Sequence, residues 1–297
     1  MEPAPLSRAF TLPESWRAVR LVVMRPQGWE HAAAVGEVME SLYIALKLLG
    51  IDVDFAENQP RDGAINIYFM PFYLSEDQAK WLAPNSIVYN FEQIGGEFDI
   101  LTPGFRIALR RCRVWDYSQR NLDRLAPFIG HDRVQVVPVG YVPALTRIPR
   151  APVQDIDVLF YGAVNERRKA LLDAMTAAGI GLHHVFGLYG AKRDALIARS
   201  KLVLNIHAHP TKIMEVVRIS YLLANRKAVV TELDEATEFD TDLRDAVAGV
   251  PYDRIIEECR RLLADDAARQ ALEDRGFRSF QQRDLIPVLR DIIAAAA

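Results

Sequence analysis

Six residues, HAHPTK at 207–212, place two histidines, a proline and a lysine directly after the apolar run KLVLNI. Glu215 and Arg218 follow closely, at the head of an apolar, helix-periodic segment that runs from about Ile213 to Asn225. Ionisable groups just past the carboxyl end of a buried parallel strand, at the mouth of a helix, stand where open α/β sheets take up ligands. A second cluster lies at 162–168, where Gly162 closes the apolar run DVLFYG and Asn165, Arg167 and Arg168 open the next helical segment. Helix-start N–H groups and the helix dipole attract an anion, and a guanidinium can grip it in bidentate fashion, so this is phosphate chemistry. A solvated helix start with surface arginines accounts for the same residues. No GK[ST] follows Gly162, and neither opening strand is followed by GxGxxG, so the P-loop and the dinucleotide fingerprint are both absent. His207 and His209 have the spacing of a metal pair, but no third ligand stands near them, and no metal is expected.

The first half carries its own polar groups at strand ends. Gly28, Glu30, His31 and Glu37 surround the start of the first long helix. A glycine there lets the backbone approach a substrate, and His31, Glu30 or Glu37 could act as general base; acids at a helix start also simply complement its dipole. Asn90, Glu92 and Gln93 close the strand SIVYNFE ahead of Gly95–Gly96, and amides with a carboxylate suit the recognition of hydroxyls, or an ordinary loop. Asp116 and Ser118 in VWDYSQRN serve either that purpose or a helix cap.

The elements that must position these groups alternate. AVRLVVM, IDVDFAE, AINIYFM, SIVYNFE, VWDYS and VQVVPVG (134–140) read as strands separated by helical segments, the first of which ends at Gly50. Residues 1–17 read as a loose arm, and the proline-rich stretch 140–157 as a linker. After it the rhythm restarts with DVLFYG, LHHVFGLYG, KLVLNI and KAVVT, and the chain from Tyr252 onward is helical nearly throughout. Strand–helix alternation on both sides of a linker predicts two doubly wound domains, residues 1–145 and 146–297, with a C-terminal helix that can cross back to the first. A net charge of −3 excludes a dedicated nucleic-acid binder. Two distant cysteines and no apolar run of membrane length point to a soluble chain of a reducing, cytoplasmic compartment.

Two such domains with the anion-binding signals in the second resemble the GT-B glycosyltransferases, two Rossmann-like domains facing across a cleft. DVLFYGAVNERR is similar to the strand and loop that open the nucleotide-sugar domain of that fold, and LVLNIH with MEVVRISYLLANRKAVVTE to its donor helix and following strand. NFEQI, VWDYSQRN and VPVGYVP resemble recurring segments of bacterial "glycosyl transferases group 1" type proteins, over roughly residues 18–285. The resemblance implies metal-independent transfer of a sugar from a nucleoside diphosphate sugar to a saccharide, protein or small-molecule acceptor, with no further cofactor. It places Gly162, Asn165, Arg167, Arg168, Tyr189, His207, Lys212, Glu215 and Arg218 at the donor. Gly28, Asn90, Glu92, Gln93, Asp116 and Ser118 fall to the acceptor side, with His31, Glu30 or Glu37 as base. Many retaining members carry two glutamates across this loop and helix; here Tyr221 takes the second place and Glu215 lies between the two, which favours inversion. A catalytically silent nucleotide- or sugar-binding module of the same fold is the alternative.

Overall fold

A computed structural model of the chain describes residues 10–95, 100–129 and 133–296. Gly96 and the first nine residues of the expected arm lie outside the described residues. The strands β1 (Ala18–Val23), β2 (Asp52–Glu57), β3 (Ile65–Phe69), β4 (Ile87–Asn90), β5 (Arg113–Asp116) and β6 (Val134–Val136) form one sheet. Its order is β2-β1-β3-β4-β5-β6. A second sheet of β7 (Ile156–Tyr161), β8 (Leu182–Val185), β9 (Ser200–Asn205), β10 (Ala228–Glu232) and β11 (Ala248–Val250) has the order β11-β10-β9-β7-β8. Every pairing in both sheets is parallel. Central strands β3 and β10 are buried at every residue, as strands covered on both faces must be, whereas the edge strand β2 alternates with exposed positions. The order reverses between β1 and β3 in the first sheet and between β7 and β9 in the second, and ligands of doubly wound sheets settle beside such reversals.

The helices are α1 (Gly36–Leu48), α2 (Glu76–Lys80), α3 (Pro103–Arg111), α4 (Gln119–Ile129), α5 (Glu166–Ala177), α6 (Gly190–Arg199), α7 (Val216–Ala224), α8 (Ile255–Ala264), α9 (Asp266–Gln281) and α10 (Leu285–Ala295). The outer faces of the two sheets have separate apolar cores, while a third core runs between the sheets and joins Leu42 of α1 to Ile219 of α7 and Leu289 of α10. α10 packs against α1. Its entry is fixed where Leu285 N donates to Tyr141 O at 3.1 Å and Tyr141 N donates to Arg283 O at 2.7 Å. Gly140 permits this approach, because a Cβ there would stand 2.9 Å from Leu285 Cα.

Three elements differ from the sequence expectation. β6 stops at Val136 rather than reaching 140, since Pro138 has no N–H for a ladder. α7 starts at Val216 rather than about Ile213: Met214 N donates to Glu238 O at 2.9 Å and Lys212 sits at φ 46°, which holds the preceding residues extended and turned. The first long helix is preceded by a separate 3-10 turn, Glu30–Val35. Among the described residues no helix is long and apolar enough to cross a membrane.

Candidate active site

A cavity of about 310 Å³ opens between the carboxyl ends of the two sheets. Gly162 and Tyr161 at the end of β7, His209 after β9, and Glu215 and Arg218 at the head of α7 line it from the second sheet. Glu37 on α1, Met70 after β3, and Phe91, Glu92 and Gln93 after β4 line it from the first.

On the second side the geometry is built around Gly162 and Arg218. Gly162 takes φ 149°, and a Cβ there would lie 2.7 Å from Arg218 Nη2, so the glycine lets the guanidinium lie against the strand end. Arg218 Nη1 donates to Asn205 Oδ1 at 2.7 Å, and the guanidinium stands over the Tyr161 ring at 5.2 Å. Its Nε is buried without a hydrogen-bond partner among the described residues. Beside it Glu215 accepts from Asn205 Nδ2 at 2.8 Å and lies 3.1 Å from His207 Nδ1. Burial pushes the Glu215 carboxyl up, but His207, Arg218 and Asn205 outweigh it and hold the group down at about 2. His207 itself is buried, and its Nε2 has no hydrogen-bond partner among the described residues.

Of the other expected donor residues, Tyr189 lines the cavity, while Asn165, Arg167, Arg168 and Lys212 are bonded into the frame. Asn165 caps α5 by accepting from Arg168 N at 3.0 Å and pins the neighbouring loop by donating to Ala208 O at 3.0 Å. Arg168 reaches the cavity wall, but its Nε donates to Ile206 O at 3.0 Å and its Nη1 to Ala163 O at 2.9 Å. Burial first, then the Arg218 charge, pull it down to about 10. Arg167 and Lys212 do not line the cavity. Both answer Glu232, fully buried at the end of β10: Arg167 bidentately at 2.7 and 2.6 Å, Lys212 at 3.5 Å with a further contact to Asp234. A buried carboxylate without counter-charges is costly, which explains why these cations turn away from the ligand space.

The first side divides in the same way. Gln93 Nε2 donates to Ile213 O at 2.9 Å, and its Oε1 accepts from Thr211 Oγ1. Ser118 Oγ donates to Glu238 Oε2 at 2.7 Å, while Arg120 Nη1 donates to Thr211 O at 2.8 Å. Asp116 is buried under these, accepting from Asn90 Nδ2 at 2.7 Å, Ser118 N at 2.9 Å and Asn121 Nδ2 at 3.0 Å. Burial pushes its carboxyl up to about 7 against those three donors. Gln93 and Ser118 thus bond across to the second sheet's loops, with Asn90 and Asp116 supporting them, and of the expected acceptor group only Glu92 and Gln93 line the cavity.

Among the three expected bases, Glu37 is held by Arg193 of α6 at 2.7 and 3.3 Å. Burial opposes the Arg193 charge, but the Glu37 carboxylate more than compensates and raises that guanidinium's pKa. His31 Nδ1 lies 2.7 Å from Tyr189 OH, and its ring stands between Trp29 at 4.8 Å and Phe186 at 4.9 Å. Trp29 is 42% and Phe186 58% exposed, so His31 belongs to an aromatic rim beside the cavity. Glu30 is exposed and Gly28, at φ 75°, makes the turn before it; neither lines the cavity.

Sequence reasoning missed Arg193, Tyr161 and Phe186. Arg193 was detectable, since it shares the buried face of α6 with Ile197, one helical turn on, where an arginine requires a partner. No group of three or more His, Cys, Asp or Glu that could hold a metal ion exists among the described residues.

No protein-family model matches the chain. Two uncharacterised proteins of Acanthamoeba polyphaga mimivirus are similar to it. One is 26% identical over 190 residues, covering 61% of this chain and 60% of its own; the other is 24% identical over 212 residues, covering 68% and 71%. The chain therefore spans less than two thirds of the first, and nothing in these relatives carries over the bacterial origin that the resemblance suggested. Among solved structures, a glycosyltransferase of Rickettsia africae superposes with a TM-score of 0.60 at 10% identity, covering 94% of this chain and 97% of that one. HepE of Anabaena, in complex with UDP and glucose, gives 0.59 at 12% identity, covering 93% and 98%. WaaG, a glycosyltransferase involved in lipopolysaccharide biosynthesis, gives 0.56 at 11% identity, covering 93% and 99%. The fold of this chain is the GT-B fold of these glycosyltransferases.

Proposed function

We propose that the chain transfers a sugar from a nucleoside diphosphate sugar to an acceptor hydroxyl, with the donor held by the second sheet's strand ends. The observation that supports this most is Arg218, a half-buried guanidinium laid against Gly162 at the cavity, its buried Nε without a partner among the described residues. A fixed cation in a half-dry site stabilises the charge that develops on a leaving diphosphate. Glu215, kept ionised beside it, offers acceptors to ribose or sugar hydroxyls. The neighbours bind ligands of this class: HepE is seen with UDP and glucose, and the DNA-modifying β-glucosyltransferase with uridine diphosphoglucose.

In this reading the transfer is metal-independent, because Arg218 meets the diphosphate charge, and a chelator leaves turnover unchanged. Inversion is the favoured stereochemistry. The nature of the acceptor, saccharide, protein or small molecule, follows from what passes the Trp29–Phe186 rim. The test is release of nucleoside diphosphate from a panel of nucleotide sugars in the presence of EDTA. Turnover of at least one donor is expected. Binding of the nucleotide without any turnover would instead favour a silent binding module, and no binding at all overturns both readings.

A further inference from the structure

Among the described residues three carboxylates face the cavity: Glu37, Glu92 and Glu215. Glu37 is spent on Arg193, and Glu215 is bonded to Asn205 and His207. Glu92 is different. Its side chain makes no hydrogen bond or ion pair among the described residues, although its main chain is held from both sides. Glu92 N donates to Asn90 Oδ1 at 3.2 Å, and Glu92 O accepts from Asn90 Nδ2 at 2.8 Å and from Asn121 Nδ2 at 2.9 Å. Both asparagines are anchored in turn on buried Asp116. A residue whose peptide is clamped this firmly while its carboxylate is left unpaired is placed for a ligand. Glu92 also stands on the first sheet, whereas Gly162 and Arg218 stand on the second, so the cavity separates it from the proposed diphosphate site.

Given the donor site argued above, we propose that Glu92 is the general base that takes the proton of the acceptor hydroxyl. As that proton passes to a Glu92 carboxylate oxygen, the acceptor oxygen bonds to the anomeric carbon. The bond from that carbon to the diphosphate breaks, and its electron pair leaves with the nucleoside diphosphate beside Arg218. A single displacement of this kind inverts the anomeric configuration. The surroundings suit a base: the adjacent Phe91 stacks on Phe69 at 5.9 Å and on Tyr117 at 6.0 Å, walls that exclude water. Burial holds the Glu92 carboxyl above the usual range, toward the pH at which a base works best. The Glu92 charge acts on the phenols of Tyr73 and Tyr117, both raised chiefly by burial. Across the cavity stand the ion-paired Glu37–Arg193, the ionised Glu215, and the guanidinium groups of Arg168 and Arg218.

The experiment compares the wild-type chain with Glu92→Gln and Glu92→Asp, using UDP binding, UDP-glucose hydrolysis and transfer to an added sugar acceptor. Water serves as the acceptor in hydrolysis, so that assay needs no identified acceptor. Glu92→Gln is expected to bind UDP within about threefold of wild type, and so to be folded, while losing kcat by about 10²–10⁴-fold. Glu92→Asp recovers part of the loss. The acid limb of the wild-type kcat profile, which reports an ionising carboxyl, is expected to vanish in Glu92→Gln, and the product anomer to be inverted. Equal turnover of wild type and Glu92→Gln, zero included, or a retained anomer, overturns the assignment while leaving the donor site standing. Absence of binding of UDP and of every other nucleoside diphosphate by the wild type overturns the donor reading on which it rests.

Discussion

The ionisation of Glu215 ties the site to the stability of the molecule. Its carboxyl is held at about 2 in the fold, below the range it has in an unfolded chain. A depressed carboxyl contributes stability that is fully present above the unfolded value, about 4.3. That contribution is lost as pH falls through the folded value. Glu215→Gln is therefore expected to flatten the fall in urea midpoint between about pH 5 and pH 2, and to lower the midpoint at neutral pH. A parallel acid limb in both proteins would show that Glu215 is not held ionised. On the ligand side stands Arg218. Arg218→Ala removes a charged donor to the diphosphate, and UDP affinity is expected to fall by about 10–100-fold with the fold intact, as calorimetry would show.

At the scale of elements, the site is a set of strand ends closed by helix starts. Much of this was legible: DVLFYG, KLVLNI and KAVVT form central strands, and Gly162, Glu215 and Arg218 come together at their ends. What the residues do once there was less legible. Arg167 and Lys212 have the right types and spacing for phosphate, but their partner, Glu232, closes a different strand and draws them off. No local pattern announces that. Gly162 gives the sharpest test of the element. Gly162→Ala puts a Cβ within 2.7 Å of Arg218 Nη2 at a φ of 149°, which strains a side chain. Nucleotide affinity is expected to fall while the far-ultraviolet circular dichroism is unchanged; unaltered affinity would detach the glycine from the site.

The whole molecule is two sheets joined by polar bonds that no single segment reveals. Gln93 with Ile213, Ser118 with Glu238, and Glu37 with Arg193 each lie more than a hundred residues apart, so helical or strand periodicity has nothing to say about them. The fold class was nonetheless readable, because alternation of strand and helix requires only local pattern. Gln93 and Ser118, expected on the acceptor side, bond into this junction. Glu37→Ala leaves Arg193 buried without its main partner, and is expected to cost about 3–5 kcal/mol in denaturant unfolding. A cost below about 1 kcal/mol would show that the ion pair does not bind the two sheets. The function of the whole molecule turns on what the cavity holds. Calorimetric titration of the wild-type chain and Arg218→Ala with UDP, in the presence of EDTA, addresses it most directly. Saturable binding to the wild type is expected, with affinity at least about tenfold weaker in the variant; no binding of UDP or of any other nucleoside diphosphate, or equal binding by both proteins, would rule out a donor site at Arg218.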